Sequence, residues 1–450
     1  MAQQIKIKPR LAKGFRDFLP SEMLKRQYVI DTIEGVFQLF GYEPLQTPVL
    51  ELRDTLFGKY GEDAEQLIYS AQHGRSKSDE VAMRYDLTVP LSRVVAQYEN
   101  DISFPFRRYQ ISPVWRGERP QRGRYREFFQ CDADIVGVSG MEADAEIISV
   151  MNTAYQRLNL PQPIIKINNR KLLTGMGVFS GVPESQLPDL YRSIDKFDKI
   201  GAEGVEKELL ERGIPDEAVN RMMNLIQSRE EGVKNLDVLD AQMGNLEAAK
   251  SGIVELRSMA MYLDALGVPQ SAYEFDFTMV RGLSYYTGPI FETIIQEPNL
   301  GSITGGGRYD NLIGLFRRES LPTVGTSLGI ERIIDIMTEL DLFPSHVADT
   351  VVDILVTVFD DETQIASSRL ASQLRKANIR AELYMSDGKF KLGKQFAYAD
   401  KKGIPLVATL GPDEVANGRV SIKRLSDAKE VDVLQADVVD AVVGLMQIEF

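Results

Sequence analysis

The sequence contains very little cysteine and histidine. Among its 450 residues there are one cysteine, Cys131, and two histidines, His73 and His346. A single cysteine excludes an internal disulfide and any zinc site built from several cysteines. Because neither histidine has a partner nearby in a patterned segment, a Ser-His-Asp triad or a histidine-rich metal site is not expected. Chemistry in this chain would use carboxylates, arginines, backbone groups and, if a metal takes part, Mg²⁺.

Long apolar runs are missing as well. No stretch reaches the length that crosses a membrane, and the basic start MAQQIKIKPRLAKGF has neither the apolar region nor the cleavage site of a secretory signal. We therefore expect a cytoplasmic protein with no membrane partner. Neither a P-loop pattern nor the spacing of a Rossmann fingerprint occurs, so these two nucleotide-binding folds are not predicted.

Positive charge is in deficit, since the formal net charge is −13. Nonspecific nucleic-acid binding needs a basic surface, so the overall charge argues weakly against it, although a local basic face could still bind RNA. The length predicts two or three domains, and 44% hydrophobic with 26% charged residues is typical of globular proteins.

The first third of the chain mixes helical and extended patterns. Residues 21–41 have apolar residues at helical spacing, with Ser21 as a plausible N-cap and Gly41 just past the helix end. Two strands at 106–118 and 126–137 bracket an arginine-rich loop.

The second of these strands has one polar and one apolar face. A two-residue period places Gln130, Asp132 and Asp134 together on the polar side. A solvent-exposed sheet face would have the same pattern. The alternative is the floor of a pocket that offers acceptor atoms to a cationic or NH-bearing ligand.

The composition changes twice further along the chain. Residues 172–258 are charged and helical with interrupting turns, which indicates an inserted helical module. Residues 343–350 are a candidate linker. Residues 351–450 alternate strands with helices, which predicts a small α/β domain.

Arginines occur where each strand pattern ends. Arg116 lies near the end of the first strand, in VWRGERPQRGRY, where a solvated hairpin and a phosphate clamp are both reasonable, because the guanidinium fork grips phosphate oxygens in pairs. Arg332 lies in the first turn of an apolar helix, where the helix dipole disfavours a cation. The simpler explanation is a surface arginine that reaches a carboxylate.

Two further segments are ambiguous by themselves. In RYDLTVPLSR, Asp86 or Thr88 could simply cap the first turn of a helix. In TGGGRYDNLI, three glycines would let a ligand approach the backbone, and Arg308, Tyr309 and Asp310 are expected to open a helix.

The segment VRGLSYYTGPIFE joins two predicted strands with more than a hairpin needs. Arg281 and the adjacent Tyr285 and Tyr286 follow a strand-like run, whereas a plain turn would require only the glycine. This composition indicates a binding surface.

In this order the segments resemble a class II aminoacyl-tRNA synthetase, and within that class the histidyl-tRNA synthetase family. The helix ending at Gly41 is similar to motif 1, residues 106–137 to motif 2, and VGTSLGIERI to motif 3. The sharpest matches are RGLSYYTG and GGGRYDNL, which are similar to the two histidine-specific motifs. The resemblance covers nearly the whole chain.

The resemblance implies a multidomain α+β and α/β architecture. A class II catalytic domain with an antiparallel sheet would comprise residues 1–171 and 259–342, with a helical insertion at 172–258, the linker at 343–350 and an α/β anticodon-binding domain at 351–450. It also implies ATP-dependent activation of L-histidine, with Mg²⁺ accompanying ATP, transfer of histidine to tRNA(His), and a homodimer.

Positions that match the family imply roles for individual residues. Catalysis would involve Arg281 and Arg116, and ATP would be held by these two with Glu118 and Arg332. Histidine would be bound by Asp86, Thr88, Gln130, Asp134, Tyr285, Tyr286, Tyr309, Gly305 and Gly306. The tRNA acceptor end would contact Gln121, Arg122, Arg124 and Arg126, and the anticodon stem would contact Lys389, Lys391 and Lys394. No protein side chain is assigned to a metal.

Two positions depart from the family pattern. Ser284 stands where the family usually has Asp, and Asp86 stands where many bacterial members have Glu. Ser284 puts the hydrogen bonding of its turn in question, but neither change removes an arginine.

Three other functions compete with the ligase. The first is a non-catalytic, synthetase-like regulatory subunit of ATP phosphoribosyltransferase in histidine biosynthesis. The others are a tRNA-sensing pseudo-synthetase module and a tRNA-independent amino-acid ligase. The C-terminal domain and the retained Arg116, Arg281 and Arg332 argue against them.

Overall fold

The computed structural model describes residues 8–60, 62–72, 80–227, 233–280, 285–345, 347, 349–386 and 390–446. The chain divides into two compact units. The first contains Met1–Asp17 and Val29–Leu342, and the second contains Phe18–Tyr28 and Phe343–Phe450. Among the described residues no helix is long and apolar enough to cross a membrane.

In the first unit, strands and short helices alternate along the chain until a long segment of consecutive helices begins. The early ones are α1 (Pro20–Leu39, which begins in the second unit), β1 (Glu43–Pro44), β2 (Leu50–Leu52), α2 (Arg53–Leu56), α3 (Glu62–Glu65), β3 (Ser70–Ala71), β4 (Val81–Met83), α4 (Thr88–Gln97), β5 (Phe106–Trp115), β6 (Glu127–Val136), α5 (Met141–Arg157) and β7 (Ile164–Asn169). The helical segment contains α6 (Arg170–Ser180), α7 (Leu187–Ile194), α8 (Phe197–Glu211), α9 (Asp216–Gln227), α10 (Val233–Met243) and α11 (Glu247–Ala265). After it come β8 (Tyr273–Phe275), β9 (Pro289–Ile294), β10 (Thr304–Arg308), β11 (Thr323–Leu328) and α12 (Ile330–Glu339).

An eight-stranded sheet organises this unit, in the order β1-β5-β6-β11-β10-β9-β7-β8. The six central strands, from β5 to β7, are antiparallel. The edge pairs β1–β5 and β7–β8 are parallel. A smaller sheet has the order β2-β4-β3. The predicted antiparallel core is therefore present.

Helix α5 covers one face of the large sheet. Its Tyr155 hydroxyl lies 2.7 Å from the Thr293 hydroxyl on β9 and 2.6 Å from the Thr304 hydroxyl on β10. The β6 side chains with the apolar period are completely buried, namely Cys131, Ala133 and Ile135. Because successive strand residues point to opposite faces, the polar residues of β6 lie on the other side of the sheet.

The helical segment is longer than the predicted insertion of 172–258, since its helices run from Arg170 to Ala265. Asn169 caps α6 by accepting a hydrogen bond from Lys171 N at 2.8 Å. Helices α6 and α11 pack with their backbones in close approach, because a Cβ on Gly175 would lie 2.6 Å from the Cβ of Ala249. The predicted domain boundaries stay a prediction.

The C-terminal part of the second unit has its own sheet and core. Its elements are β12 (Ile354–Val356), α13 (Gln364–Lys376), β13 (Ala381–Leu383), α14 (Leu392–Lys402), β14 (Leu406–Thr409), α15 (Pro412–Asn417), β15 (Arg419–Arg424), β16 (Glu430–Leu434) and α16 (Val438–Met446). The strand order is β13-β12-β14-β15-β16, with β13, β12 and β14 parallel. This is the α/β arrangement predicted from the alternating pattern.

Two local predictions are wrong. Ser21 is not the N-cap of the first helix, because α1 begins at Pro20, a residue well suited to a first turn. The carboxylate of Glu22 instead accepts a hydrogen bond from Leu19 N at 3.0 Å. No helix opens at Arg308, which is the last residue of β10. A turn follows it, and then the short 3₁₀ helix Ile313–Leu315.

Candidate active site

A cavity of about 340 Å³ lies on the polar face of β6, β10 and β11. The turn before α4, the loop between β5 and β6, the tyrosines before β9 and the first turn of α12 complete its walls. Cross-strand pairing sets out the floor in two rows, Asp134–Gly325–Gly307 and Asp132–Ser327–Gly305. Glycines in both rows keep the floor low, so a ligand can lie close to the backbone.

Asp134 is held between a cation and a phenol. Its Oδ2 lies 2.7 Å from Nη2 of Arg108, which is completely buried on the neighbouring strand β5. The Tyr309 hydroxyl donates a hydrogen bond to its Oδ1. Burial raises the pKa of Asp134, and the charge of Arg108 opposes that rise. The carboxyl is therefore fixed in orientation at the cavity floor.

Asp132 lies two residues earlier on the same face and is 2% exposed. Its Oδ1 is buried and has no hydrogen-bond partner among the described residues. Burial raises its pKa to about 7, with Arg108 opposing the rise and Asp134 adding to it. Two buried carboxyls thus share one guanidinium, which leaves this end of the cavity short of positive charge.

Asp86 both caps a helix and lines the cavity. Its Oδ1 accepts hydrogen bonds from Val89 N at 3.1 Å and from the Tyr60 hydroxyl at 2.9 Å. Its Oδ2 is buried without a partner in the described part of the chain. Burial raises the pKa of Asp86, while these bonds and the charge of Arg116 oppose the rise. The two explanations of this residue are compatible, since each carboxylate oxygen has its own use.

Three tyrosines enclose the space above the floor. The ring centroids of Tyr285 and Tyr286 are 4.9 Å apart, and those of Tyr285 and Tyr309 are 5.8 Å apart. Burial raises the pKa of all three phenols, so they stay neutral donors at physiological pH. The wall they form suits a flat ring with polar edges.

Arginines line the other side of the cavity. Arg116 follows β5 directly, and its Nε donates to Tyr85 O at 3.1 Å. Its guanidinium packs 4.4 Å from the Tyr85 ring centroid and 5.1 Å from that of Phe128. Arg332, in the first turn of α12, donates a hydrogen bond to Ser302 O. Contacts on both cations fix them in place, which suits them for binding an anion.

Two family models match the chain. The model described as "Histidyl-tRNA synthetase" matches residues 14–333, and the model described as "Anticodon binding domain" matches residues 351–445. The chain belongs to the histidyl-tRNA synthetase family.

Relatives of known name and structure agree with this. The "Histidine--tRNA ligase" of Phocaeicola vulgatus is 40% identical over 443 residues, covering 94% of this chain and 96% of the relative. The "Histidine--tRNA ligase" of Cytophaga hutchinsonii is 40% identical over 451 residues, which cover 96% of this chain and 99% of the relative. The crystal structure of histidyl-tRNA synthetase from Nostoc sp. PCC 7120 matches with a TM-score of 0.86 at 32% identity, and the match covers 98% of this chain and 100% of that structure's chain. The family and fold class predicted from the sequence are confirmed.

The structure brings most of the predicted histidyl-tRNA synthetase site residues to one cavity. Those that line it are Asp86, Thr88, Arg116, Glu118, Gln130, Asp134, Tyr285, Tyr286, Gly305, Tyr309 and Arg332. Gly306 does not, because the strand alternation turns it toward Phe291 and away from the floor. Arg281 and Ser284 lie outside the described residues, as do both histidines and Lys389.

The three loop arginines predicted to contact tRNA, Arg122, Arg124 and Arg126, have partners within the chain. Arg122 forms an ion pair of 2.6 Å with Glu339, and Arg124 one of 3.0 Å with Glu118. Arg126 donates to Glu118 O at 3.1 Å. Of the loop residues predicted to contact tRNA, Arg124 alone lines the cavity described above.

Two acidic residues that line the cavity, Asp132 and Glu331, were not predicted as site residues from the sequence. The strand period placed Asp132 on the correct face, but nothing in the sequence showed that β11 would lie beside it. Glu331 pairs with Arg16, 315 positions away, so no local pattern could indicate its role.

Proposed function

We propose that this protein activates L-histidine with ATP and transfers it to the 3′ end of tRNA(His). Relatives named histidine–tRNA ligases match nearly the whole chain, and the anticodon-binding model matches its C-terminal part. These matches favour the ligase over the regulatory subunit of ATP phosphoribosyltransferase. A cytoplasmic homodimer is part of the proposal.

The proposal is carried by one cavity whose walls hold both unpaired acceptor atoms and fixed cations. Asp86 Oδ2, Gln130 Oε1 and Asp132 Oδ1 are buried and lack hydrogen-bond partners among the described residues. Leaving such atoms unpaired is costly, so their arrangement favours a ligand rich in N–H donors. Arg116 and Arg332 on the other side favour carboxylate and phosphate groups. An amino acid bound next to ATP satisfies both sides.

Histidine fits the acidic side. Its α-ammonium group would bind Asp86, Thr88 and Gln130, where two unpaired acceptor atoms point into the cavity. Its imidazole would donate an N–H to Asp134 between the rings of Tyr286 and Tyr309. Buried polar groups paired with the ring would lose their partners with other amino acids, which can discriminate by roughly 10⁴–10⁵.

ATP fits the cationic side. Arg116 and Glu118 would hold the nucleotide, and Arg332 its terminal phosphates or adenine. The carboxylate of histidine then attacks the α-phosphorus in line and pyrophosphate leaves. Two anions meet in this step, so the site must neutralise charge and fix geometry, and no protein base is required. Arg281 would bind the α-phosphate and the substrate carboxylate.

Mg²⁺ would enter with ATP. No group of three or more carboxylate, histidine or cysteine side chains that could hold a metal is found in the described ranges. Mg²⁺ is often held by one or two carboxylates together with substrate phosphates. Glu118 is a cavity carboxylate that could serve in this way.

Transfer to tRNA would use the loop between β5 and β6 at the acceptor end. Gln121, Arg122, Arg124 and Arg126 would contact phosphates there, which positions the RNA without reading its sequence. The C-terminal unit, with Lys391 and Lys394, would contact the anticodon stem.

Amino-acid-dependent exchange between ATP and pyrophosphate tests the proposal. We expect exchange with histidine and with no other amino acid, and a roughly 10²–10³-fold loss in Arg281→Ala, as for removal of one group that stabilises developing charge. Arg318→Ala is the matched control, because Arg318 is exposed and lies away from the cavity. Histidine binding without exchange would favour the regulatory subunit instead.

A further inference from the structure

The floor of the cavity has two carboxyl groups where one would suffice for a single ring N–H. Asp134 accepts a hydrogen bond from Tyr309 on Oδ1, and its Oδ2 forms an ion pair of 2.7 Å with Arg108. One buried oxygen of each carboxyl, Asp134 Oδ2 and Asp132 Oδ1, has no hydrogen-bond partner among the described residues. Unlike that of Asp134, the unbonded oxygen of Asp132 has no ion pair in this part of the chain either, and the family resemblance assigns no role to Asp132.

The space beside Asp132 is open. Its cross-strand neighbour on β11 is Ser327, and the next residue in the same row is Gly305 on β10. A Cβ built on Gly305 would meet no atom within 4 Å. A planar ring can therefore lie flat over this row and reach Asp132 by its edge.

The charges around Asp132 do not balance. The groups that face it are the carboxyls of Asp134 and Asp86, the phenols of Tyr285 and Tyr286, and one cation, Arg108. The three buried carboxyls have two guanidiniums nearby, that of Arg108 and, beside Asp86, that of Arg116, so balancing them requires one further proton or cation. Histidine can supply both an α-ammonium group and a protonated ring.

We propose that Asp132 is a specificity-determining residue that binds the second ring nitrogen of histidine, sharing one proton with it, while Asp134 takes the other N–H. This inference rests on the proposed histidine site and deepens it. The pocket then selects a ring with two nitrogens of which one is basic, rather than any five-membered ring with one N–H. With the proton on the imidazole the contact is a charge-assisted hydrogen bond from imidazolium to carboxylate, and with the proton on Asp132 it is a neutral O–H···N hydrogen bond.

The pKa values of Asp132 and of an imidazole side chain are similar, which supports a shared proton. Burial raises the pKa of Asp132 to about 7, and an imidazole side chain has an ordinary pKa of about 6.5. Near neutral pH the pair therefore holds about one proton. Above both values the pair has none, and two lone pairs face each other. Histidine binding should then weaken progressively as pH rises above about 7.5.

The test compares histidine with 3-(1,2,4-triazol-3-yl)alanine, whose ring has a similar shape but is far less basic, in ATP–pyrophosphate exchange. In Asp132→Asn we expect kcat/KM for histidine to fall roughly 10- to 100-fold at pH 7, the loss of one charge-assisted hydrogen bond. The value for the triazole should fall several-fold less. Asp86→Asn is the matched control, since loss of an ammonium contact should reduce both substrates by the same factor. Equal losses for both substrates in Asp132→Asn would overturn the proposal.

A second measurement uses the unaltered protein and so does not depend on the variant folding. The ratio of kcat/KM for histidine to that for the triazole should fall at least about tenfold between pH 7 and pH 9. A ratio that stays constant over this range would refute the shared proton. Absence of histidine-dependent exchange at every pH would instead count against the proposed function itself.

Discussion

Gly325 on β11 is the cross-strand neighbour of Asp134 on β6, and a Cβ at this glycine would lie only 1.9 Å from Asp134 Oδ1. The carboxyl that faces the proposed imidazole thus occupies space that any other residue on β11 would fill. In the proposed site, the position of the Asp134 carboxyl therefore depends on the absence of a side chain at Gly325 on the neighbouring strand.

Gly325→Ala should displace the Asp134 carboxyl and break its contacts with Arg108 and Tyr309. A misplacement of about 1 Å can cost up to about 100-fold in rate, so we expect kcat/KM for histidine to fall by about that amount. Exchange kinetics with histidine as the varied substrate measure the effect. Gly393→Ala is the control, since its Cβ would meet no atom within 4 Å. Unchanged kinetics in Gly325→Ala would show that Asp134 is not critical for histidine.

Neighbouring glycines on β10 should respond in opposite ways. A Cβ on Gly305 would enter the open floor, so Gly305→Ala should raise KM for histidine and leave the melting temperature almost unchanged. A Cβ on Gly306 would lie 2.4 Å from Gly325 O, so Gly306→Ala should destabilise the protein by about 1–3 kcal/mol. Thermal unfolding and exchange kinetics on both variants separate the effects. A reversed pattern would place Gly306 at the substrate, as the family resemblance implied.

The ion pair between Arg308 and Asp144 should be far more important for stability than an exposed pair. Arg308 is 2% exposed and also donates to Val138 O at 2.9 Å and Gly140 O at 3.1 Å. Burial raises the pKa of Asp144 to about 6 despite this arginine. Arg308→Met would leave the carboxyl buried without its cation, at a cost of about 3–5 kcal/mol.

Denaturant unfolding measures that cost, and Arg419→Met is the matched control. The Arg419–Asp432 pair is 2.7 Å long but both side chains are exposed, so its loss should cost less than about 1 kcal/mol. Asp144→Asn combined with Arg308→Met should recover part of the stability. Equal losses in the two arginine variants would show that burial does not distinguish the pairs.

Arg122 should affect the transfer step and not the activation step. Its ion pair with Glu339 is exposed on both sides, so tRNA phosphates can compete for the guanidinium. We expect Arg122→Ala to raise KM for tRNA several-fold, with ATP–pyrophosphate exchange unchanged, when aminoacylation is measured. Glu339→Gln frees the same arginine and should lower KM for tRNA. A parallel increase in both variants would assign the pair a structural role.

Strands and helices with a regular hydrophobic period could be predicted from the sequence, whereas side-chain contacts that depend on the register between strands could not. The alternation of residues 127–136 correctly separated a polar from an apolar face. Arg108 could not be linked to Asp134, because that contact requires the β5–β6 register. The sequence pattern predicts a helix opened by Arg308 directly after the glycine run, yet the glycines and Arg308 belong to strand β10, since pairing with β9 and β11 outweighs the low strand preference of glycine.

Site residues were found mainly where a family motif covered them. Asp86, Gln130 and Tyr309 were assigned in this way and line the cavity. Asp132 was left unassigned because an isolated strand cannot show whether its polar face meets solvent or another strand. Only the tertiary structure makes that distinction. Gln130 Nε2 donates a hydrogen bond of 3.3 Å to the hydroxyl of Ser327, which lies 197 residues later in the chain.

The distance of 197 residues along the chain between Gln130 on β6 and Ser327 on β11 has a consequence for biosynthesis. Strand β6 pairs with β11 only after the chain between them has left the ribosome, which at typical synthesis speeds takes about 10–40 s. Meanwhile the β5–β6 hairpin has an open edge, and an exposed edge can pair with other chains. Helices α6–α11 can fold first, because their contacts are more local. The cavity is thus a late product of folding, and a nascent chain that stalls before β11 carries acidic residues of the proposed histidine site without the complete cavity.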